Sequence, residues 1–179
     1  IGTDQRIGSR FLRAGPAYGG SCFPKDTKAL TKTSDDFKVN LSLVQSVIRS
    51  NSNRNNLIVQ KILKIAKQNH LKKIGFLGVT FKANTDDMRD SPSLFIIPKL
   101  LKNNLKISYY EPTGNKSILS KYKKIKYCIN QKELITSCDF VIIHSDWDEF
   151  KNIDFSKVSK NKKLSICDLR NLYHPDEFK

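Results

Sequence analysis

From Leu71 onward, short apolar runs alternate with stretches of helical spacing, and no other property of the chain limits its fold as much. Lys73–Val79 (KIGFLGV), Leu105–Tyr110, Ile125–Ile129, Asp139–His144 (DFVIIH) and Leu164–Leu169 (LSICDL) are each short enough to be strands, and most are apolar at consecutive positions. A strand that is apolar on both faces has to be covered on both faces, which is the condition of a parallel sheet flanked by helices. Between the first two runs, Ser91-Pro92 supplies an N-cap followed by proline at the first helical position, with Leu94, Ile97, Leu100 and Leu101 on one helical face. The expectation is an α/β fold, a Rossmann-like parallel sheet domain over residues 71–179.

Residues 1–70 show no strand alternation. After a glycine-rich stretch from Gly15 to Gly20, the pattern from Pro24 to Leu30 opens a short helix, and a second helical region runs from about Leu41 to Gln68. There Leu57, Ile58, Ile62, Ile65 and Ala66 share one apolar face. The polar patch Ser50-Asn51-Ser52-Asn53 interrupts it and predicts a bend or a break. A helical segment is therefore expected to precede the sheet. The first strand carries Gly75 and Gly78 with Thr80 after them, not Gly-x-Gly-x-x-Gly, so the tight pyrophosphate turn of a dinucleotide site is missing. Glu111 ends the second strand, where an acid could meet a ribose, but it lies too far from Gly78 and reads as a plain turn residue.

Charge and cysteine content remove several classes of function. Over 179 residues, 32 Lys+Arg against 17 Asp+Glu give a formal net charge of +15. The lysines are spread over helical faces and loops (Lys61, Lys64 and Lys67, then Lys121, Lys123 and Lys124) without the interleaved aromatics of a base-stacking platform. The excess reads as a solvated surface or as a preference for a phosphorylated small molecule; a nucleic-acid partner is not expected. No apolar run approaches the ~18 residues of a membrane span, so no membrane partner is expected either. Cys22, Cys128, Cys138 and Cys167 form no Cys-x-x-Cys pair and the three histidines are scattered, so no metal site is expected. Cys128 and Cys167 sit in strand-like runs as small core residues. Nothing suggests a disulfide framework, which places the chain in the reducing cytoplasm. The start, Ile1–Arg6, lacks Met and any secretory pattern and begins in mid-pattern, so a piece of a longer protein is expected.

The most informative stretch runs from Arg6 to Asp26. Gly19-Gly20 frees the backbone to bend sharply and lets a ligand approach closely. Pro24 starts a helix, so Cys22 lies just before a helix N-terminus, where partial positive charge and Lys25 favour the thiolate. Asp26 stands close enough in the first turn to orient a water or take a proton. Spacing alone leaves two readings open, a reactive thiol and an inert cysteine in a tight turn.

Four stretches, in order, resemble the UDP-glucose/GDP-mannose dehydrogenase family. Residues 19–26 (GGSCFPKD) match the family's nucleophile motif. Residues 78–92, from Gly78 through Phe81-Lys82, Thr85-Asp86-Asp87, Arg89 and Ser91-Pro92, resemble its Phe-Lys-x-x-Thr-Asp-Asp-x-Arg-x-Ser-Pro loop. Trp147-Asp148-Glu149-Phe150 follows a strand as the family's Glu-Trp-x-x-Phe does, and Asp168-Leu169-Arg170-Asn171 resembles its Asp-x-Arg-Asn. The resemblance implies an N-terminal NAD-binding Rossmann domain outside this chain. Residues 1–70 would be the tail of the central dimerisation region and residues 71–179 the UDP-binding C-terminal domain. Separated from its own NAD-binding domain, and from the lysine and asparagine that the family supplies to the catalytic site from its central helix, the piece is expected to be inactive.

The resemblance further implies a nucleotide sugar oxidised twice with NAD as cofactor. Cys22 would capture the aldehyde as a thiohemiacetal that becomes a thioester, and Asp26 would handle the hydrolytic water. Phe11, Leu12, Arg13, Ala14 and Gly15 fall where the family wraps a loop around the nucleotide end, and Tyr18 and Gly19 near the diphosphate and sugar. Phe81 and Lys82 would approach the hexose, and Arg170 would reach the substrate. Arg6 matches a residue that reaches a neighbouring subunit's site, which implies a homodimer, and Lys25 and Arg89 match positions that meet NAD. Phe23 favours UDP-glucose over GDP-mannose, and Ser21 stands where N-acetylhexosamine relatives carry His. Alternatives are another nucleotide-sugar 6-dehydrogenase or an inactive nucleotide-sugar binding fragment. Ala17 for Gly, Ser145-Asp146 for Thr-Glu and Glu111 for Asp depart from the family pattern.

Overall fold

The computed structural model describes the backbone of residues 1–159 and 163–178, with the side chains of Arg10, Phe11, Pro175 and Phe178 outside the description. Helices α1 (Phe23–Asp36) and α2 (Ser42–Gln68) come first. They are followed by β1 (Lys73–Leu77), α3 (Pro92–Lys102), β2 (Lys106–Tyr110), α4 (Ser117–Ser120), β3 (Ile125–Tyr127), α5 (Gln131–Ser137), β4 (Phe140–Ile143), α6 (Phe155–Val158) and β5 (Ser165–Asp168). The five strands form one parallel sheet in the order β3-β2-β1-β4-β5, with Ile74 aligned to both Ile107 and Phe140. The strand order reverses between β1 and β4, and in such sheets the carboxyl ends at the reversal form the ligand crevice. The α/β, Rossmann-like expectation holds.

Both sheet faces are covered, as the apolar central strands β1 and β4 require. Phe76, Ile107, Tyr109 and Ile142 pack with Ile58 and Ile62 of α2 and Ile96 and Leu100 of α3. Leu77, Val141 and Ile143 pack with Leu134 and Ile135 of α5 and with Phe150 and Phe155. Cys128, Cys138 and Cys167 are buried, the first and last as their surroundings predict. Ser91 caps α3, with its hydroxyl accepting from the Ser93 N–H and Pro92 behind it.

Three expectations change. The patch at Ser50–Asn53 does not break α2, which is continuous over 27 residues, about 40 Å. The buried residues of α2 begin only at Ile58, so its first half needs no apolar stripe and its asparagines are free for other contacts. Helix α1 continues past Leu30 to Asp36. Helix α5 went unpredicted because seven residues are too few for a periodic signal; reciprocal capping starts it, with Asn130 accepting from the Glu133 N–H and Glu133 from the Ile129 N–H.

Glu111 is not a plain turn residue. It is fully buried, and its Oε2 accepts the Val79 N–H at 2.7 Å, the Thr80 N–H at 3.1 Å and the Thr80 hydroxyl at 3.3 Å. The carboxylate ties the end of β2 to the loop leaving β1. Glu111→Ala strands two buried backbone donors and should lower the unfolding free energy in urea by about 3 kcal/mol, with Glu111→Gln costing roughly half as much.

His144, at the end of β4, is likewise fully buried, and neither ring nitrogen has a partner among the described residues. Burial, helped by the charge of Arg170, pushes its imidazole down to about 3. The unfolded chain takes up a proton near the ordinary value of about 6.5 while the folded chain refuses it, so stability present above that pH is lost as the pH falls toward 3. Urea midpoints between pH 7 and 4.5 should therefore fall less steeply for His144→Leu than for the unmodified chain, by roughly 1 kcal/mol per pH unit in the derived free energies.

Candidate active site

The loop that carries Cys22 is held by backbone constraints at each step. Arg54 donates from Nε and Nη2 to the Gly15 carbonyl at 3.2 and 3.0 Å. The Asn51 side chain accepts the Tyr18 N–H at 2.9 Å and donates to the Tyr18 carbonyl at 3.2 Å. At Gly19 a Cβ would stand 2.3 Å from the Asp90 carbonyl oxygen; at Gly20, with φ +88°, it would meet the Phe81 ring at 2.8 Å. The Gly20 N–H donates to the Arg89 carbonyl at 2.9 Å. The pair of glycines thus lets the chain's own β1–α3 loop approach, where the sequence suggested only a ligand. Tyr18 and Phe23 then stack edge to face, 4.7 Å between centroids.

Cys22 is the N-cap of α1 and is exposed, with Sγ 3.6 Å from the Ser21 hydroxyl. Lys25 pairs with Asp26 at 3.0 Å, and Arg89 with Asp87 at 2.8 Å. The Lys25 ammonium is held above its ordinary pKa first by the hydrogen bond to Asp26 and least by the charge of Cys22. The Arg89 guanidinium is raised first by Asp87 and again least by Cys22. Two cations therefore stand within electrostatic range of this sulfur.

Across from this loop, the carboxyl ends of the strands converge on Arg170. Asp168, ending β5, accepts the N–H groups of Arg170, Leu172 and Tyr173 at 2.8, 2.6 and 3.1 Å and so folds the turn that presents the arginine. Arg170 donates from Nε to the His144 carbonyl at 3.0 Å and from Nη2 to the Phe81 carbonyl at 2.8 Å, joining the loops after β1, β4 and β5. Only 14% of its side chain is exposed; burial lowers its pKa, and Asp146 and Asp168 push it back up. A Cβ on Gly15 would stand 2.7 Å from the Arg170 Nη1.

Between the two halves lies a cleft of about 400 Å³ lined by Arg13, Arg54, Lys82 and Arg170, with Tyr18, Phe81 and backbone of the 15–19 loop, and, among the described residues, by no acidic side chain. A second hollow of about 550 Å³ shares Arg13 and Arg170 and adds Ala14 and Asp146. Four cations around a concavity of this size suit a diphosphate with an organic body. Of the predicted residues, Arg13, Ala14, Gly15, Tyr18, Gly19, Phe81, Lys82 and Arg170 line one hollow or the other. Cys22, Lys25, Asp26 and Arg89 are exposed and line neither hollow. Leu12 lies outside both hollows, and Arg6 is exposed and paired with Asp4 at 2.8 Å. The Phe11 side chain lies outside the described residues.

Sequence reasoning missed Asn51 and Arg54. Their signal was the polar patch itself, read as a helix defect when it marked a helix face turned to a loop. Among the described residues no cluster of His, Cys, Asp and Glu is placed to hold a metal ion, and no helix is long and apolar enough to cross a membrane.

Comparison with known proteins agrees along the whole length. Residues 75–175 match the UDP-binding domain of the UDP-glucose/GDP-mannose dehydrogenase family and residues 1–53 its central domain. The chain is 39% identical to a UDP-glucose 6-dehydrogenase of Rhizobium meliloti over 99% of its length and 38% identical to one of Bacillus subtilis, and it spans 41% of each. A UDP-glucose dehydrogenase structure from Pyrobaculum islandicum superposes with a TM-score of 0.80 at 26% identity, covering 98% of this chain and 40% of that one. A GDP-mannose dehydrogenase structure from Pseudomonas aeruginosa gives 0.76 at 26% identity, over 94% of this chain and 40% of that one. With its UDP-binding profile matched across more than half of its residues, the chain belongs to the UDP-glucose/GDP-mannose dehydrogenase family.

Proposed function

We propose that this chain is the part of an NAD-dependent UDP-glucose 6-dehydrogenase that binds the nucleotide sugar and supplies the nucleophile for two-step oxidation of UDP-glucose to UDP-glucuronate. It divides near residue 70 into a helical part and a UDP-binding part. The observation that carries this reading is a cleft at the carboxyl ends of the strands lined, among the described residues, by four cations and no acid, whose Tyr18–Gly19 wall runs on in sequence to the exposed Cys22 at the N-cap of α1.

In this reading Arg13, Lys82 and Arg170 neutralise the diphosphate, while Phe81 and Tyr18 bound the sugar. The Cys22 sulfur adds to the carbonyl carbon of the half-oxidised hexose, and the oxygen takes up a proton to give a thiohemiacetal. Oxidation of that adduct leaves a thioester. Water attacks it, its proton passes to Asp26, and the acid leaves with the thiol restored. Covalent capture keeps the aldehyde from escaping between the two oxidations.

NAD supplies the hydride acceptor for both. Lys25 and Arg89, exposed beside Cys22, fit the edge of its site. The sheet of this chain does not fit the rest, because Glu111 has spent its carboxylate on Val79 and Thr80 and cannot take a ribose. The dinucleotide is therefore assigned to the enzyme's N-terminal domain. Arg6, free of the cleft, is assigned to the site of the second subunit in a homodimer. Phe23 and Ser21 favour UDP-glucose as substrate.

The test is alkylation of Cys22 by iodoacetamide, followed by mass spectrometry. Saturating UDP-glucose should slow modification of Cys22 by about tenfold or more, as burial of a bound ligand's surface demands, and GDP-mannose should protect less. Equal rates with and without UDP-glucose would contradict the reading. In the complete enzyme, Cys22→Ala should abolish NADH formation while UDP-glucose still binds; turnover at the unmodified rate would remove Cys22 from the mechanism.

A further inference from the structure

We propose that Asn51 and Arg54 of α2 are positioning residues: they clasp residues 15–18 so that the nucleotide-sugar cleft and the Cys22 loop are set by one helix. Asn51 and Arg54 are three apart and share a helix face, and the residues they grip, Gly15 and Tyr18, are also three apart. The Asn51 amide satisfies both the donor and the acceptor of Tyr18, which fixes the orientation of the peptide units on either side of that residue. Arg54 forks onto one carbonyl, that of Gly15, leaving three of its five N–H donors for other partners.

The geometry gives this clasp leverage on both parts of the site. Gly15 is held from one side by Arg54 and packed from the other by the Arg170 guanidinium, so its position sets the width of the cleft at the two arginines. Tyr18 is the last residue before the Gly19-Gly20 turn, and its ring packs on Phe23, the first residue of α1 and the neighbour of Cys22. Releasing Tyr18 therefore loosens the cleft wall and the nucleophile loop together. Without the clasp, residues 15–18 would be joined to the rest mainly through flexible glycines, with the added conformational entropy lost on each binding event. Because α2 also packs on the core through Ile58, Val59 and Ile62, the loop inherits the rigidity of the sheet.

The inference rests on the reading of the cleft as a UDP-glucose site, and the experiment separates the two. Amide hydrogen exchange at Tyr18, UDP-glucose affinity by calorimetry and the Cys22 alkylation rate are measured on this chain and on Asn51→Ala, Asn51→Asp, Arg54→Ala and Arg54→Lys, with thermal midpoints as the folding control. Asn51→Ala should speed exchange of the Tyr18 amide and weaken UDP-glucose binding, each by about tenfold, the loss of roughly one hydrogen bond, with the thermal midpoint nearly unchanged. Asn51→Asp, which keeps the acceptor and loses the donor, should recover slowed exchange at Tyr18 and part of the affinity. Arg54→Lys should likewise restore part of what Arg54→Ala loses. If Asn51→Ala leaves Tyr18 exchange unaltered, the clasp is overturned whatever the ligand does. If exchange rises but affinity and the protection of Cys22 by UDP-glucose do not change, the positioning role is overturned. If the unmodified chain binds no UDP-glucose, the proposed function fails, and the exchange data still decide the clasp.

Discussion

A single buried guanidinium joins the elements on which the site depends. Arg170 bonds to backbone carbonyls at His144 and Phe81 and packs under Gly15, so the loops after β1, β4 and β5 and the glycine-rich loop meet around it. Its own place is set by Asp168, which spends its two oxygens on the backbone of the turn. A charge this deep is tolerated because Nε and Nη2 each meet a backbone carbonyl and Asp146 lies 3.9 Å from Nε, partners of the kind buried ions require. With the carboxylate of Glu111 fixing the β1 loop from below, the carboxyl edge of the sheet becomes a rigid rim bearing positive charge.

That rim explains why the fold suits anionic ligands without the glycine fingerprint of dinucleotide sites. In those sites a helix N-terminus and a glycine turn approach the pyrophosphate directly. Here the corresponding positions after β1 are occupied by hydrogen bonds to Glu111, and the anion-binding capacity has moved to side chains: Arg13 and Arg54 from the helical part, Lys82 and Arg170 from the sheet. The cleft therefore depends on both halves of the chain. Neither lines it alone.

Much of this was legible in the sequence because it rests on local patterns. Short, mostly apolar runs gave the strands, Ser91-Pro92 the start of α3, and Pro24 the helix that Cys22 precedes. The cleft-lining residues Arg13, Tyr18, Phe81, Lys82 and Arg170 came from the family resemblance, since no spacing rule brings residues 13, 82 and 170 together. What stayed hidden depends on long-range pairing. Glu111 looked like a turn residue because its partners, Val79 and Thr80, lie on another strand's loop. Asn51 of α2 looked like part of a defect because the loop it holds is more than thirty residues away in the chain. Helix α5 is set by its cap and carries too few residues to show a period.

A crystal structure of the chain with UDP-glucose decides where the nucleotide sugar binds. The diphosphate is expected between Arg13, Lys82 and Arg170, with the hexose directed toward Tyr18 and the Cys22 loop. The opposite end of the sheet offers a contrasting basic hollow at Lys73, Lys106 and Lys124. A nucleotide sugar bound there, with the cleft at Arg170 left vacant, would contradict the account.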